Sequence, residues 1–523
     1  MGISKIIKFV VLAFSILSCD CFAVVKMPRI FSNSMVLQQG ENVNVWGWSD
    51  ANAKIDVAFA GQKVSAVADK NGAWKLVLKP LKVSSQGREM TIFENDKLAR
   101  TIKDILVGEV WVAGGQSNMA FPLAKSKGGK EIIASANNSL IRYFDQGSNP
   151  PLKSMNGLGK DPVEDAQKGC RWLVCSPKNA EHSFRAVPYI FARDVANKLN
   201  VPVGIVYTAI PGTSMIAWLP RNEYENNPAF AEAKNEFNSA LKKYNFEKAN
   251  AEFDKKVKSY PERVAKAKAQ GKTPPPAWTV QENMRPWKDS PRRLSSPVLL
   301  YNVRIYPIKN FTARGIIWYQ GEADSNFVNC FVPYFKGFVE VWRNEFNKPN
   351  MPFIFVQLPS YKTKTWQQIR LQQQQVADSL KNVYMATTID TGDKNDIHPT
   401  DKTPVAKRLA NLALENVYNC KDVHSHSPKF ESVQYKGNSA IVKIKAQKKL
   451  VFKGEARGFE ILVNGKWEKP NSVTLDGKTL VLSASANDVK ISGVRYLYEP
   501  FAKPNVSIFD NTGLPLSPFL TQK

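Results

Sequence analysis

Between Val24 and about Lys103, apolar residues recur at every second position in short segments. Examples are 42–48 (Asn-Val-Asn-Val-Trp-Gly-Trp), 54–60 and 73–78. That period belongs to half-buried strands, so residues 24–103 predict an N-terminal β-sandwich-like module. Asn71-Gly72, just before the third segment, predicts a hairpin turn, because both residue types tolerate positive φ. From Asp104 to about Asn419 the chain changes character: unbroken apolar runs at 105–113, 201–207, 313–319, 352–357 and 383–388 alternate with helical spacing. Strands apolar on both sides, separated by helices, predict an α/β domain with a parallel sheet covered on both faces. Residues 222–276 are charge-rich and helical and close on Pro274, Pro275 and Pro276, which reads as an inserted helical pair. Val405, Leu409, Leu412 and Val417 mark the last helix of the layer. Residues 427–523 return to alternation, with turns at Asn464-Gly465 and Asp476-Gly477, and predict a C-terminal β-module.

A length of 523 residues exceeds what one core holds and calls for two or three domains. The apolar fraction of 43% and charged fraction of 23% are those of a globular chain and exclude a disordered one. Residues 1–23 place Lys5 and Lys8 before the apolar run Phe9-Val-Val-Leu-Ala-Phe-Ser-Ile-Leu17 and then small residues. That is a signal peptide with a cut after Ala23, and it implies a secreted or periplasmic protein. The run is too short to span a bilayer, and no other stretch is long and apolar enough. Ile16-Leu-Ser-Cys19 offers a lipoprotein cleavage site, which Leu17 and Ser18 match poorly.

Cys170, Cys175, Cys330 and Cys420 then remain; in an oxidising compartment the close pair Cys170 and Cys175 is the leading bridge, and no metal-ligand spacing is present. The formal charge is +26, and because the signal peptide holds two lysines and one aspartate its removal leaves +25. Such an excess favours anionic glycans or cell surfaces. Without a basic, aromatic-interleaved motif it does not point to nucleic acid.

The chemistry concentrates where strands end. Ser117 lies in Trp111-Val-Ala-Gly-Gly-Gln-Ser-Asn-Met119, immediately after an apolar run. A serine at the abrupt end of a buried strand, among small residues that let the backbone turn, is how hydrolases expose a nucleophilic oxygen. Met119 stands where the last glycine of G-x-S-x-G would be, so this is another strand-to-helix serine arrangement. A hydroxyl needs a base within reach. Of four histidines, His182, His424 and His426 fall at a helix start or in a linker. His398, in Asp390-Thr-Gly-Asp-Lys-Asn-Asp-Ile-His-Pro399, follows a late strand and can fold back over the serine, with Asp396 on the same loop to orient it. Donors for a developing oxyanion are the Ser117 amide, the Gly212 amide in Ile210-Pro-Gly-Thr-Ser214, and the side chain of Gln320 in Trp318-Tyr-Gln-Gly-Glu-Ala-Asp324.

Together with Phe31-Ser-Asn-Ser-Met-Val-Leu-Gln38, Trp342-Arg343 and Gly513-Leu-Pro-Leu-Ser-Pro-Phe519, these blocks resemble the sialate O-acetylesterase and carbohydrate-esterase branch of the SGNH hydrolases over essentially the whole mature chain. The resemblance implies a flavodoxin-like sheet, Ser117 as nucleophile, His398 as base, an oxyanion hole from Ser117, Gly212 and Gln320, and no cofactor. It also implies removal of O-acetyl groups from sugars. Sialic acid is the leading substrate, acetylated xylan or another polysaccharide the alternative, and a glycan-binding protein with an idle site the rival of another class. The SGNH pattern puts the acid three residues before the histidine, where this chain has Asn395; Asp396 is two before, leaving Asp393 and Glu322 as alternatives. Gln116 and Asn118 are supporting candidates. Pro211 replaces a glycine frequent before Gly212, and Tyr301-Asn-Val-Arg304 departs from the usual small-residue segment.

Overall fold

A computed structural model describes residues 25–147 and 161–522. The expected signal peptide and its cleavage site lie outside the described residues. The central sheet has seven strands: β1 (Lys97–Gly115), β2 (Ile141–Asp145), β3 (Arg171–Val174), β4 (Val203–Tyr207), β5 (Gly315–Tyr319), β6 (Phe353–Val356) and β7 (Val383–Ala386). Their spatial order is β7-β6-β5-β1-β4-β2-β3, parallel throughout except for the antiparallel edge strand β3. The chain leaves β1 toward one edge and later starts β5 on the other side, so the order reverses between β1 and β5. In open parallel sheets ligands bind at the C-terminal strand ends beside such a reversal.

Side-chain alternation explains the two covered faces. Trp111, Ala113, Ile317 and Tyr319 face one way, against α1 (Ala186–Leu199) and the last helix of the layer, α4 (Thr403–Asn416). Val110, Val112, Ile316 and Trp318 face the other way, against α2 (Phe331–Glu345) and α3 (Trp366–Ser379). Trp318 is central to the second face, with ring centroids 4.9 Å from both Phe338 and Trp342. Trp342-Arg343 is therefore structural: Trp342 Nε1 donates to Trp218 O at 3.1 Å, and Arg343 Nε to Met351 O at 2.9 Å.

The N-terminal module runs into this sheet without a break. β1 is a single strand of 19 residues that first pairs antiparallel with Ser84–Glu94 and then becomes the centre of the parallel sheet. It turns at Asp104, where φ is 56° and the carboxylate accepts from Ser34 Oγ at 2.8 Å and Arg142 Nη2 at 3.2 Å. Gln38 and Gln39 hold the module to the sheet by donating to Glu109, which also accepts from Arg314 and Tyr418.

Two expectations are corrected. Asn71-Gly72 does not form a hairpin. Ala73–Leu78 pairs with Val43–Trp48, whereas the preceding strand Gln62–Val67 pairs with Lys54–Phe59, so the turn carries the chain from one sheet to the other. Asp69 Oδ1, accepting from Asn71 N at 2.7 Å and Ala73 N at 3.0 Å, stabilises that arc. Cys170 and Cys175 do not bridge, and all four described cysteines are free thiols. The extended β3 separates the pair, and five residues of strand span roughly 16 Å, beyond what a disulfide reaches.

The segment read as a helical pair forms three helices, Ala231–Lys242, Phe246–Lys258 and Tyr260–Ala269, after the short Arg221–Asn226. The C-terminal module contains two four-stranded antiparallel sheets. One includes a tight hairpin at Asn464-Gly465, with φ of 50° and 76° as a type I′ turn requires. This module touches the catalytic layer through Ser517 on Thr387 and Lys503 on Gly392. Among the described residues no helix is long and apolar enough to cross a membrane.

Candidate active site

Neighbouring strand β5 dictates the turn that presents Ser117. A Cβ on Gly114 would lie 2.4 Å from the Trp318 ring, and one on Gly115, whose φ is +128°, 2.2 Å from Tyr319 O. Only glycines let the end of β1 lie this close to β5. Gln116 N then donates to Tyr319 O at 3.0 Å, and Ser117 follows, partly exposed, beyond the strand end.

The Gly212 loop is fastened to the same spot. Ile210 N donates to Gly115 O at 3.1 Å, and Thr213 Oγ1 accepts from Trp218 Nε1 at 3.1 Å. Beneath it lies a fully buried carboxylate, Asp324, which accepts from Ser214 Oγ, from Tyr334 OH at 3.0 Å, from Met215 N at 3.1 Å and from Gln320 Nε2 at 2.8 Å. Burial pushes the Asp324 pKa up, and its hydrogen bonds oppose that rise. Gly212 stays exposed at the loop tip with φ +70°. Among the described residues, neither the Ser117 nor the Gly212 amide donates to another group of the chain.

Gln320 is arranged differently from the expectation. Its Nε2 gives one hydrogen to Thr213 O at 2.7 Å and the other to Asp324, so the atom it leaves unpaired is the buried acceptor Oε1. An amide has two donor hydrogens. In this arrangement Gln320 pins the Gly212 loop rather than offering a free donor.

The loop after β7 brings His398 to the same strand-end edge. Arg408 anchors the start of this loop through two bonds to Asp390, at 2.6 and 2.7 Å. Asp393 shapes it by accepting from Asn395 N at 2.7 Å and Asp396 N at 3.1 Å, and is spent on that turn. Asp396 Oδ1 accepts from His398 N at 2.8 Å and lies 3.9 Å from His398 Nδ1, an ion-pair distance but not a hydrogen bond. Burial lowers the His398 pKa; Lys402 lowers it further, while Asp396 raises it. No hydrogen bond joins Ser117 to His398 among the described residues.

Asn118 makes the connection instead. Its Nδ2 donates to Glu322 Oε1 at 2.6 Å and to Ile397 O at 3.0 Å, and its Oδ1 accepts from Lys402 Nζ at 2.5 Å. Glu322 is buried, which raises its pKa against the opposing Asn118 hydrogen bond, and its Oε2 has no partner. Gln116 Oε1 accepts from Ala323 N at 3.3 Å. Ser117, Gly212, Gln320 and His398 thus sit on four segments joined pairwise at one edge of the sheet. The other histidines are elsewhere: His182 is exposed beside Glu181, and His426 bonds to Asn416 at 2.8 Å.

Lys402, Asp324, Ser214 and Tyr334 were not singled out from sequence. Asp324 had a signal, since it closes the strand-end run Trp318-Tyr-Gln-Gly-Glu-Ala-Asp324. Lys402 had none in a chain with 72 lysines and arginines.

The Ser117 turn and the His398 loop meet at the switch point of a parallel sheet, and the chain is a carboxylic ester hydrolase. Residues 283–415 match a family model described as carbohydrate esterase, sialic acid-specific acetylesterase. The chain is 24% identical to the sialate O-acetylesterase of Mus musculus over 553 residues, covering 95% of this chain and 94% of that one. It is also 24% identical to that of Homo sapiens over 544 residues, with 95% and 92% covered. The crystal structure of a carbohydrate acetylesterase from Xanthomonas citri superimposes with a TM-score of 0.76 at 25% identity, over 96% of this chain and all of the other. The chain is thus similar over nearly its whole length to sialate O-acetylesterases and to a carbohydrate acetylesterase.

Proposed function

We propose that this protein is an exported serine esterase that removes O-acetyl groups from sugars, with O-acetylated sialic acid as its leading substrate. End-to-end similarity to sialate O-acetylesterases supports the substrate class. The observation that carries the chemistry is the convergence of the Ser117 turn, the Gly212 loop and the His398 loop on one strand-end edge. Strand order supports a flavodoxin-like core: β4-β1-β5-β6-β7 reads 2-1-3-4-5 once the outer strands β2 and β3 are set aside.

In this reading His398 takes the Ser117 proton as Oγ attacks the acetyl carbonyl carbon. The carbonyl oxygen becomes an oxyanion facing the unbonded amides of Ser117 and Gly212. Gln320 reaches it only by exchanging the Thr213 carbonyl or Asp324 for it, so its main part is to hold the Gly212 loop. Collapse breaks the bond to the sugar oxygen, which receives the proton from His398. Water, deprotonated by His398, then attacks the acetyl-serine and releases acetate. Asp396 favours the imidazolium that forms twice in this cycle.

Acetate release measured side by side on O-acetylated sialic acid and acetylated xylan tests the substrate. Turnover of the first is expected. Turnover of xylan alone would reassign the enzyme to polysaccharide. Retention of glycan with no turnover of either, or of p-nitrophenyl acetate, would overturn the enzymatic reading.

A further inference from the structure

Lys402 is an unusual lysine. It is 1% exposed, and lysine is almost never so buried without a partner. Among the described residues no carboxylate pairs with it directly. It occupies the N-cap of α4, where the helix dipole opposes a cation. Its Nζ sits 4.7 Å from the Phe121 ring centroid and 5.9 Å from that of Tyr319, and donates at 2.5 Å to Asn118 Oδ1. The same Asn118 amide passes its own hydrogens to Glu322 and to the Ile397 carbonyl, next to His398. The arrangement is an ammonium and a carboxylate held apart by one side-chain amide. Removing a buried charge from water is costly, and nothing in packing alone calls for it here.

We propose that Lys402 is a positioning residue of the esterase. Its ammonium completes the hydrogen bonding of the Asn118 amide, whose other bonds tie the serine turn to the histidine loop. The assignment rests on the reading of Ser117 and His398 as nucleophile and base. Were Lys402 absent, the buried Asn118 Oδ1 would lose its donor, leaving the amide held on one side only, by Glu322 and Ile397. The charge matters as well as the bond. The groups facing Lys402 are Glu322 from the loop after β5, Asp396 and His398 from its own loop, Asp401 paired with Lys127, and the Tyr319 and Phe121 rings. Burial lowers the Lys402 pKa to about 8, with Glu322, Asp396 and Asp401 opposing. A pKa near 8 makes the Lys402 charge sensitive to pH, and the His398 ring, whose pKa that charge depresses, should respond to its loss.

The test is the pH profile of kcat and kcat/KM for p-nitrophenyl acetate with the full-length mature enzyme, normalised by titrating the active serine. In the wild type an alkaline limb near pH 8 is expected. In Lys402→Met, kcat should fall about 10²-fold, as misplacement of reacting groups costs, with KM little changed. The alkaline limb should vanish and the acid limb should move up. In Glu322→Gln the alkaline limb should move to lower pH, because the carboxylate that holds the proton on Lys402 is gone. If Lys402→Met does not fold, Lys402→Met/Glu322→Gln removes both buried charges and should still lack the alkaline limb. Wild-type kcat and unchanged limbs per active serine, in either form, would overturn the proposal. Activity surviving in Ser117→Ala would instead overturn the esterase reading beneath it, so the two failures are separable.

Discussion

Asn118 Nδ2 donates to the carbonyl oxygen of Ile397 at 3.0 Å, across 279 residues of chain. This bond joins the residue after Ser117 to the residue before His398. The two halves of the proposed machinery lie on strands at different places in the sheet, and a side-chain amide sets their spacing. Replacing Asn118 with Ala removes that tie and strips Glu322 of its one side-chain donor. A loss of about 10²-fold in kcat is expected, together with about 1 to 3 kcal/mol of stability from the unpaired buried carboxylate. Steady-state kinetics and denaturant unfolding of Asn118→Ala check both parts, and wild-type kcat would refute the first.

Ser117→Ala should lower kcat by on the order of 10⁶ while leaving the fold intact, because the hydroxyl holds no other part of the described chain. A mass spectrum of the wild type quenched during turnover should contain a serine-acetylated species that the variant lacks.

The His398 ring must be neutral to accept a proton, and burial lowers its pKa below the ordinary 6.5. Activity should therefore hold through pH 6.5 and fall at more acidic values as the ring protonates. Asp396 raises this pKa, so Asp396→Asn should move the acid limb to still lower pH while reducing kcat. That shift is opposite in sign to the one expected for Lys402→Met. A profile of kcat/KM against pH for both variants distinguishes them, and shifts of the same sign would contradict the electrostatic account.

Gln320→Ala should cost about 10²-fold in kcat, as misplacement of reacting groups does. Because Gln320 pins Thr213 and Asp324, the variant should also loosen the Gly212 loop. Faster amide exchange across residues 210–215, measured by mass spectrometry, is the expected accompaniment. A kinetic defect without it would favour a direct donor role over a positioning one.

The four described cysteines are free, so the chain from Val24 onward, once unfolded, should react with four equivalents of a thiol reagent without prior reduction. Two equivalents would restore a bridge.

The strand-end edge was legible because Ser117, Gly212, Gln320 and His398 each follow an apolar run, and the ends of parallel strands must gather at one edge. Ser117, Gly212, Gln320 and His398 could be placed on that basis. The hairpin at Asn71-Gly72 misled because a turn's chemistry fixes its φ angles and not which strand its exit pairs with. The Cys170 and Cys175 spacing misled because closeness in sequence becomes distance when the residues between are extended. Strands β2 and β3 went unread, since Ile141–Asp145 and Arg171–Val174 are short and carry arginine. The direction in which Gln320 spends its hydrogens could not be read at all, because Asp324 receives one of them only after Ser214, Met215 and Tyr334 have gathered around it.

By itself the sequence determined the layers: alternation of period two at both ends, continuous apolar strands between helices in the middle, and polar residues at strand ends. These follow from burial, which acts on each segment through its own periodicity. Tertiary structure alone decided that one 19-residue strand serves both the N-terminal module and the catalytic sheet. It also decided that a buried lysine and a buried glutamate meet through Asn118. Such contacts depend on which distant backbones are brought within about 3 Å, and no local pattern encodes that distance.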